Sequence, residues 1–283
     1  MKISCDPCFL NNPARSARLR RTLRAAVIST LILAATPFFG SVKLKLRDGR
    51  PLVDGVFVNG HGPYRFLLDT GANVDLIDAR LAQKIGMVPT FHADLASAAG
   101  SVNTPGSDNN QIALDTAIAP AQKVLFSTLD AIHENSPDIQ GVLGQWFLSQ
   151  FDYTLDLKAK QLTFGPLDPQ RDLPTARVPF TLLNGRPILS TSLGELALDS
   201  GQSQLLLFGI EPDETTAQLR TIAGNSFVGR TNGKPLLIAG RRIAGGDAIA
   251  IPTRPEPGVD GLLPLTPFHS IYISNSGSYI VFQ

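Results

Sequence analysis

The chain has 283 residues, with 25 Lys and Arg against 24 Asp and Glu, and is 43% hydrophobic and 17% charged. That apolar content fills a sizeable core and excludes intrinsic disorder, and the length suits two domains or one large all-β unit. Six of the basic residues and one acid fall within residues 1–40, which leaves 19 basic against 23 acidic groups beyond, a mildly acidic body with no electrostatic footprint for nucleic acid.

The basic head reads as an address. Arg15, Arg18, Arg20, Arg21 and Arg24 precede an uncharged, mostly apolar run over residues 25–39. Those are the proportions of a secretory signal, and the run is short beside the roughly 20 residues of a membrane-spanning helix. Residues 1–41 are therefore expected to be a signal peptide or an N-terminal membrane anchor held by residues 25–42. Either way the rest lies outside the cytoplasm, periplasmic or secreted. Cys5 and Cys8 form a Cys-x-x-Cys pair upstream of this segment, without a βαβ pattern around it. The body beyond residue 40 has no cysteine, which excludes thiol catalysis there.

Residues 43–47 alternate charged and apolar, the period of a half-buried strand. Asp48-Gly49 supplies a hairpin turn and residues 53–58 the returning strand. Residues 59–63 form a second turn cluster, and a short strand over residues 64–68 runs into Asp69-Thr70-Gly71. A short helix is predicted over residues 79–85, with Asp78 as N-cap and Gly86 as the stop. Gly141-Val142-Leu143-Gly144 follows, then an alternating segment over residues 151–164 and a proline-punctuated connector over residues 165–174.

The pattern then repeats. Asn184-Gly185-Arg186-Pro187 echoes Asp48-Gly49-Arg50-Pro51, and Asp199-Ser200-Gly201 follows Gly185 by 14 positions where Asp69 follows Gly49 by 20. Gly261-Leu262-Leu263-Pro264 answers the segment at residues 141–144, and residues 268–282 close the second copy. The body is expected to be two similar all-β lobes, at residues 42–165 and 177–283, joined by a linker at 166–176 and carrying one or two short helices.

Either tripeptide alone is a turn motif, with Asp accepting its own backbone N–H. Two of them at equivalent places in a duplicated frame have a further use. Pseudo-two-fold packing would bring the loops together, Gly71 and Gly201 would allow close approach, and Thr70 and Ser200 would tie the loops across. Two carboxylates so placed share one proton: the ionised one acts as general base on water, the protonated one polarises a carbonyl. That chemistry hydrolyses an amide with no metal and no cofactor.

Over about residues 44–283 the sequence resembles the aspartic proteases, and specifically bacterial retropepsin-like aspartyl proteases with two fused lobes. Leu67-Leu68-Asp69-Thr70-Gly71-Ala72 and Ala197-Leu198-Asp199-Ser200-Gly201 carry the resemblance, with Val142-Leu143-Gly144 as the later hydrophobic-Gly segment. Gln202 stands where a small residue is usual, and Pro264 replaces a glycine. The resemblance implies an aspartic endopeptidase with catalytic Asp69 and Asp199, supported by Thr70, Gly71, Ser200 and Gly201. It acts on a peptide or protein substrate and needs only a monomer. It also implies β-hairpin flaps, expected at residues 97–103 and 223–233 with a turn at Asn232-Gly233. The absence of Tyr between Tyr64 and Tyr153 favours the retropepsin-like branch.

Other chemistry is set aside. His61, His92, His133 and His269 lack ligand spacing, no Gly-x-Ser-x-Gly occurs, and Gly233-Lys234 is followed by Pro235 rather than Ser or Thr. Asp75 and Asp78 read as surface and cap residues, Trp146 as core, and Arg241-Arg242 as a solvated pair. Gln202, Pro264 and the missing tyrosine motivate an alternative, a catalytically silent protein of this fold that binds peptide or glycan. A weaker third reading has two first lobes dimerising to make the site.

Overall fold

The computed structural model describes residues 40–97, 100–167, 177–221, 224–232, 235–244 and 247–282. Residues 1–39, expected as a leader, and residues 168–176, within the expected linker, lie outside the described residues. Among those described, no helix is long and apolar enough to cross a membrane.

The strands form where the sequence alternates. In Ser41–Arg47, Val42 and Leu44 turn inward while Lys43 and Lys45 face solvent. Asp48 and Gly49 both take positive φ, 52° and 78°, and so do Asn184 and Gly185, 51° and 82°. These are the tight hairpin turns that the right-handed twist of paired strands prefers. Each turn starts a meander: Ser41–Arg47, Arg50–Val58 and His61–Leu68 in the first half, Thr181–Leu183, Arg186–Thr191 and Gly194–Asp199 in the second.

Each meander feeds the same local unit. His61–Leu68 pairs in parallel with Gly141–Leu143, which pairs antiparallel with Leu76–Asp78, itself parallel to Ala117–Ser127. Gly194–Asp199 pairs in parallel with Gly261–Pro264, which pairs antiparallel with Leu206–Phe208, itself parallel to Asp247–Ile251. Backbone bonds between the units' ends correspond too: Gln140 N to Arg65 O with Asp260 N to Glu195 O, and Asp78 N to Gln140 O with Phe208 N to Asp260 O.

The architecture is mostly β, in two mixed sheets of thirteen and ten strands among the described residues. The larger sheet draws on both halves. Tyr153–Asp156 pairs with Gln161–Phe164 on one side and with Ser270–Ser274 on the other, and Tyr279–Phe282 and Arg177–Pro179 complete that edge. One apolar cluster likewise runs through both halves, from Leu44, Phe66 and Leu143 to Leu198, Leu263 and Ile271.

Three short helices are present among the described residues, one more than the upper expectation: Ala79–Lys84, Asp130–His133 and Gln145–Leu148. The first starts as its sequence predicts, with Asp78 Oδ1 accepting from Arg80 N at 2.9 Å and Leu81 N at 3.1 Å. Two expectations need correction. The turn at residue 59 ends at Gly60, because His61–Leu68 pairs back to Val58 across it. Asn232 ends a long strand, Gly224–Asn232, whose hairpin partner is Glu214–Thr221, so Asn232 lies at the far end from that hairpin's tip.

Candidate active site

Both Asp-containing tripeptides leave the ends of buried strands. Phe66, Leu67 and Leu68 pin the first, and Leu196, Ala197 and Leu198 the second; all six are buried. The chain then has to turn, and each turn meets the other. Thr70 N donates to Ser200 Oγ at 2.9 Å and Ser200 N to Thr70 Oγ1 at 3.0 Å. The hydroxyls pass their own protons across the same boundary, Thr70 Oγ1 to Leu198 O at 2.8 Å and Ser200 Oγ to Leu68 O at 2.6 Å. These four bonds are reciprocal and buried, and each leaves a costly orphan if its partner is removed.

The grip sets the carboxyls. Asp69 and Asp199 each press against the other loop's glycine, near enough for the charge of one to act on the other. Gly71 and Gly201 are required by this approach: a Cβ on Gly71 would fall 2.5 Å from Asp199 Oδ2, and one on Gly201 2.5 Å from Asp69 Oδ2. The structure thus brings together all six residues that the sequence singled out, Asp69, Thr70, Gly71, Asp199, Ser200 and Gly201.

The two carboxyls are not equivalent. Asp69 Oδ1 accepts from Gly71 N at 2.9 Å and Ala72 N at 3.1 Å. Asp199 is 5% exposed and its Oδ1 has no hydrogen-bond partner. Burial pushes both above the ordinary carboxylate range. For Asp69, which keeps some surface exposure, the hydrogen bond from Asp199 and the two backbone donors pull back down. For Asp199 the negative charge of Asp69 pushes further up. Joint ionisation of the pair is thus disfavoured, and the upward push is the stronger at Asp199.

Beneath the first loop lies a polar foundation that the sequence reading missed. Asp75 was expected at the surface but is fully buried, and its Oδ1 accepts Gly144 N–H at 2.7 Å. Its other oxygen has no partner, and burial holds its carboxyl well above the usual range. Gln145, 1% exposed, donates from Nε2 to Thr70 O at 2.7 Å and from its backbone N to Ala72 O at 2.9 Å. A further unforeseen neighbour is Arg186, whose Nη1 lies 3.4 Å from Gly71 O. Its position, right after the repeated turn dipeptide, was the available signal.

Residues set aside stay aside. His133 Nε2 contacts Ile139 O at 2.7 Å, Trp146 is partly buried against an apolar cluster, and Arg241 and Arg242 are exposed on Arg241–Ala244. No group of three or more His, Cys, Asp or Glu suited to a metal ion occurs among the described residues.

No curated protein matches the chain. A family model described as "Aspartyl protease" matches residues 55–147, so this part of the chain, which holds the Asp69 loop and the Gly144 segment beneath it, is similar to that family, while Asp199 lies beyond the match.

Proposed function

We propose that the chain is an aspartic endopeptidase whose two halves are lobes related by a pseudo-two-fold axis, with Asp69 and Asp199 as its catalytic dyad. The observation that carries this reading is the approach of each carboxyl to the opposite loop's glycine, framed by the reciprocal Thr70–Ser200 bonds. The family match to the Asp69 half supports it. Ionised Asp69 takes a proton from a water held between the carboxyls, and the water oxygen adds to the peptide carbonyl carbon. Asp199 delivers its proton to the carbonyl oxygen. Collapse of the diol expels the amine, which leaves with a proton from the dyad, and no covalent enzyme intermediate forms. The hairpins Phe91–Ser97 with Gly100–Leu114, and Glu214–Thr221 with Gly224–Asn232, are the flap candidates. The enzyme works as a monomer outside the cytoplasm, released or anchored by residues 25–42.

The test is single replacement at each carboxyl. Asp69→Asn and Asp199→Asn are each expected to lower kcat/KM on a diverse peptide library by about 10⁴-fold while leaving the unfolding transition in place. Turnover at the wild-type rate in either purified variant would remove the dyad. A silent, peptide- or glycan-binding protein of the same fold is favoured by one observation, the replacement of a backbone N–H by Pro264 beside Asp199. Saturable binding with no cleavage by the wild type between pH 3 and pH 8 would select that reading.

A further inference from the structure

Arg186 opens Arg186–Thr191, and its side chain is only 12% exposed. Its Nη2 pairs with Glu256 Oε2, and Asn184 Nδ2 donates to the other Glu256 oxygen. Nη1 reaches Gly71 O, and Nε is buried without a partner. A guanidinium held this way is a fixed charge rather than a mobile one.

The carbonyl it touches matters. Gly71 C=O and Ala72 N–H belong to one peptide unit, and Ala72 N donates to Asp69 Oδ1 at 3.1 Å. Drawing electron density toward the oxygen makes the N–H a better donor, so the cation stabilises the Asp69 carboxylate through the peptide as well as through space. Its field also opposes the upward push of burial on both carboxyls. Among the described residues the first half shows no counterpart: Arg50, at the equivalent turn, has its Nη2 3.5 Å from Asp48 Oδ2 instead. The charge is therefore one-sided.

We propose that Arg186, clamped by Glu256 against the Gly71 carbonyl, is a positioning residue that fixes a positive charge beside the two aspartates and sets the pH window in which one of them stays ionised. This rests on the peptidase reading of the same site. The charged groups that face this cluster are Asp69 from the loop after His61–Leu68, Asp199 at the end of Gly194–Asp199, and Glu256 from the segment after Asp247–Ile251. Asp75, below, turns to Gly144.

The signs are opposed in two variants. A cation lowers both macroscopic values of the dyad, so Arg186→Met should move both limbs of the pH–kcat/KM profile upward by about one unit, with the acid limb moving more. At a pH one unit below the wild-type acid midpoint, the rate should fall several-fold beyond any uniform loss. Glu256→Gln leaves the cation less neutralised and should move both limbs downward, and Arg186→Lys should largely hold them. The profiles are measured on the full chain, together with the carboxyl ¹³C titration of Asp69 and Asp199 in aspartate-labelled protein. That titration separates the two claims: a wild type that cleaves nothing defeats the peptidase reading, yet the shifts of Asp69 and Asp199 still report the charge. If Arg186→Met does not fold, Glu256→Gln and Arg186→Lys carry the test. Limbs and carboxyl titrations unmoved in Arg186→Met, or moved in the same direction in Glu256→Gln, would overturn the proposal.

Discussion

The two aspartate loops are mirror answers to one problem, yet they stand on different ground. Under Asp69, Gly144 N–H meets the Asp75 carboxyl, Gln145 reaches Thr70 O and Ala72 O, and Asp69 N itself donates to Leu143 O. Under Asp199, the place of Gly144 is taken by Pro264, which has no N–H to give, and six residues past Asp199 stands the apolar Leu205 where the first half has Asp75. The first loop has buried side-chain bonds beneath it; the second rests on its strand pairing with Gly261–Pro264, on apolar packing and on the bonds that cross from the first. Reciprocal bonds between the loops thus do not require identical support, provided one half is rigid enough to template the other.

The sharpest way to break this comparison is to cut the crossing bonds one side at a time. Thr70→Val strips Ser200 N of its acceptor and Leu198 O of its donor; Ser200→Ala does the same to Thr70 N and Leu68 O. Each should cost about 3 kcal/mol in urea unfolding, two buried groups left unsatisfied. Beyond the two amides that lose an acceptor outright, if the first half templates the second, exchange should quicken in the loop around Ser200 in both variants and in the loop around Thr70 in neither. Equal quickening on both sides would end the idea of unequal support.

Next in size is the close approach of the backbones. Gly71→Ala and Gly201→Ala each push a methyl into the opposing carboxyl. A displacement of about 1 Å at the reacting groups lowers kcat by about 10²-fold. The Gly71→Ala loss should be the harder to absorb, because that loop is pinned from below, and relaxed crystal positions of Asp69 and Asp199 would show which side yields.

The smallest effect concerns Asp75. Its folded pKa lies above the unfolded value near 4, so the native state binds the extra proton. Stability is then highest at low pH and falls as pH rises from about 4 toward the folded value, by up to about 1.4 kcal/mol per unit. Asp75→Asn removes that slope, so the difference in unfolding free energy between variant and wild type should grow with pH. Parallel stability curves for the two proteins would show that Asp75 holds its charge in the fold at no cost.

The repeated turns, the strands that deliver both tripeptides and the helix capped by Asp78 were legible because each is local: a dipeptide, a period of two, a side chain and the N–H groups next to it. The pairing of Asp69 with Asp199 was legible only through the repeat, since nothing in either loop alone names its partner. Asp75 was misread for the same reason. A lone Asp near a turn is usually solvated, and only the return of Gly144, 69 residues later, makes it a buried acceptor. Arg186 carried one local sign, its place after the repeated turn dipeptide, but its partners, Gly71 and Glu256, come from opposite directions along the chain and were not legible. The long hairpin of Gly100–Leu114 and Ala117–Ser127 also escaped notice, its alternation blurred by Pro105, Gly106 and two register shifts.

The sheet shared by the two halves has a consequence for how the molecule is made. Tyr153–Asp156 waits for a neighbour, Ser270–Ser274, that is synthesised more than a hundred residues later, and Asp152 waits with it for the hydroxyls of Tyr272, Ser274 and Ser276. Until those residues emerge, a growing polypeptide presents an unpaired strand edge to its surroundings, and pairing at such separation is slow. A nascent chain of this kind needs shielding while it is made, and its two aspartate loops cannot settle against each other before Gly194–Asp199 and Gly261–Pro264 have emerged.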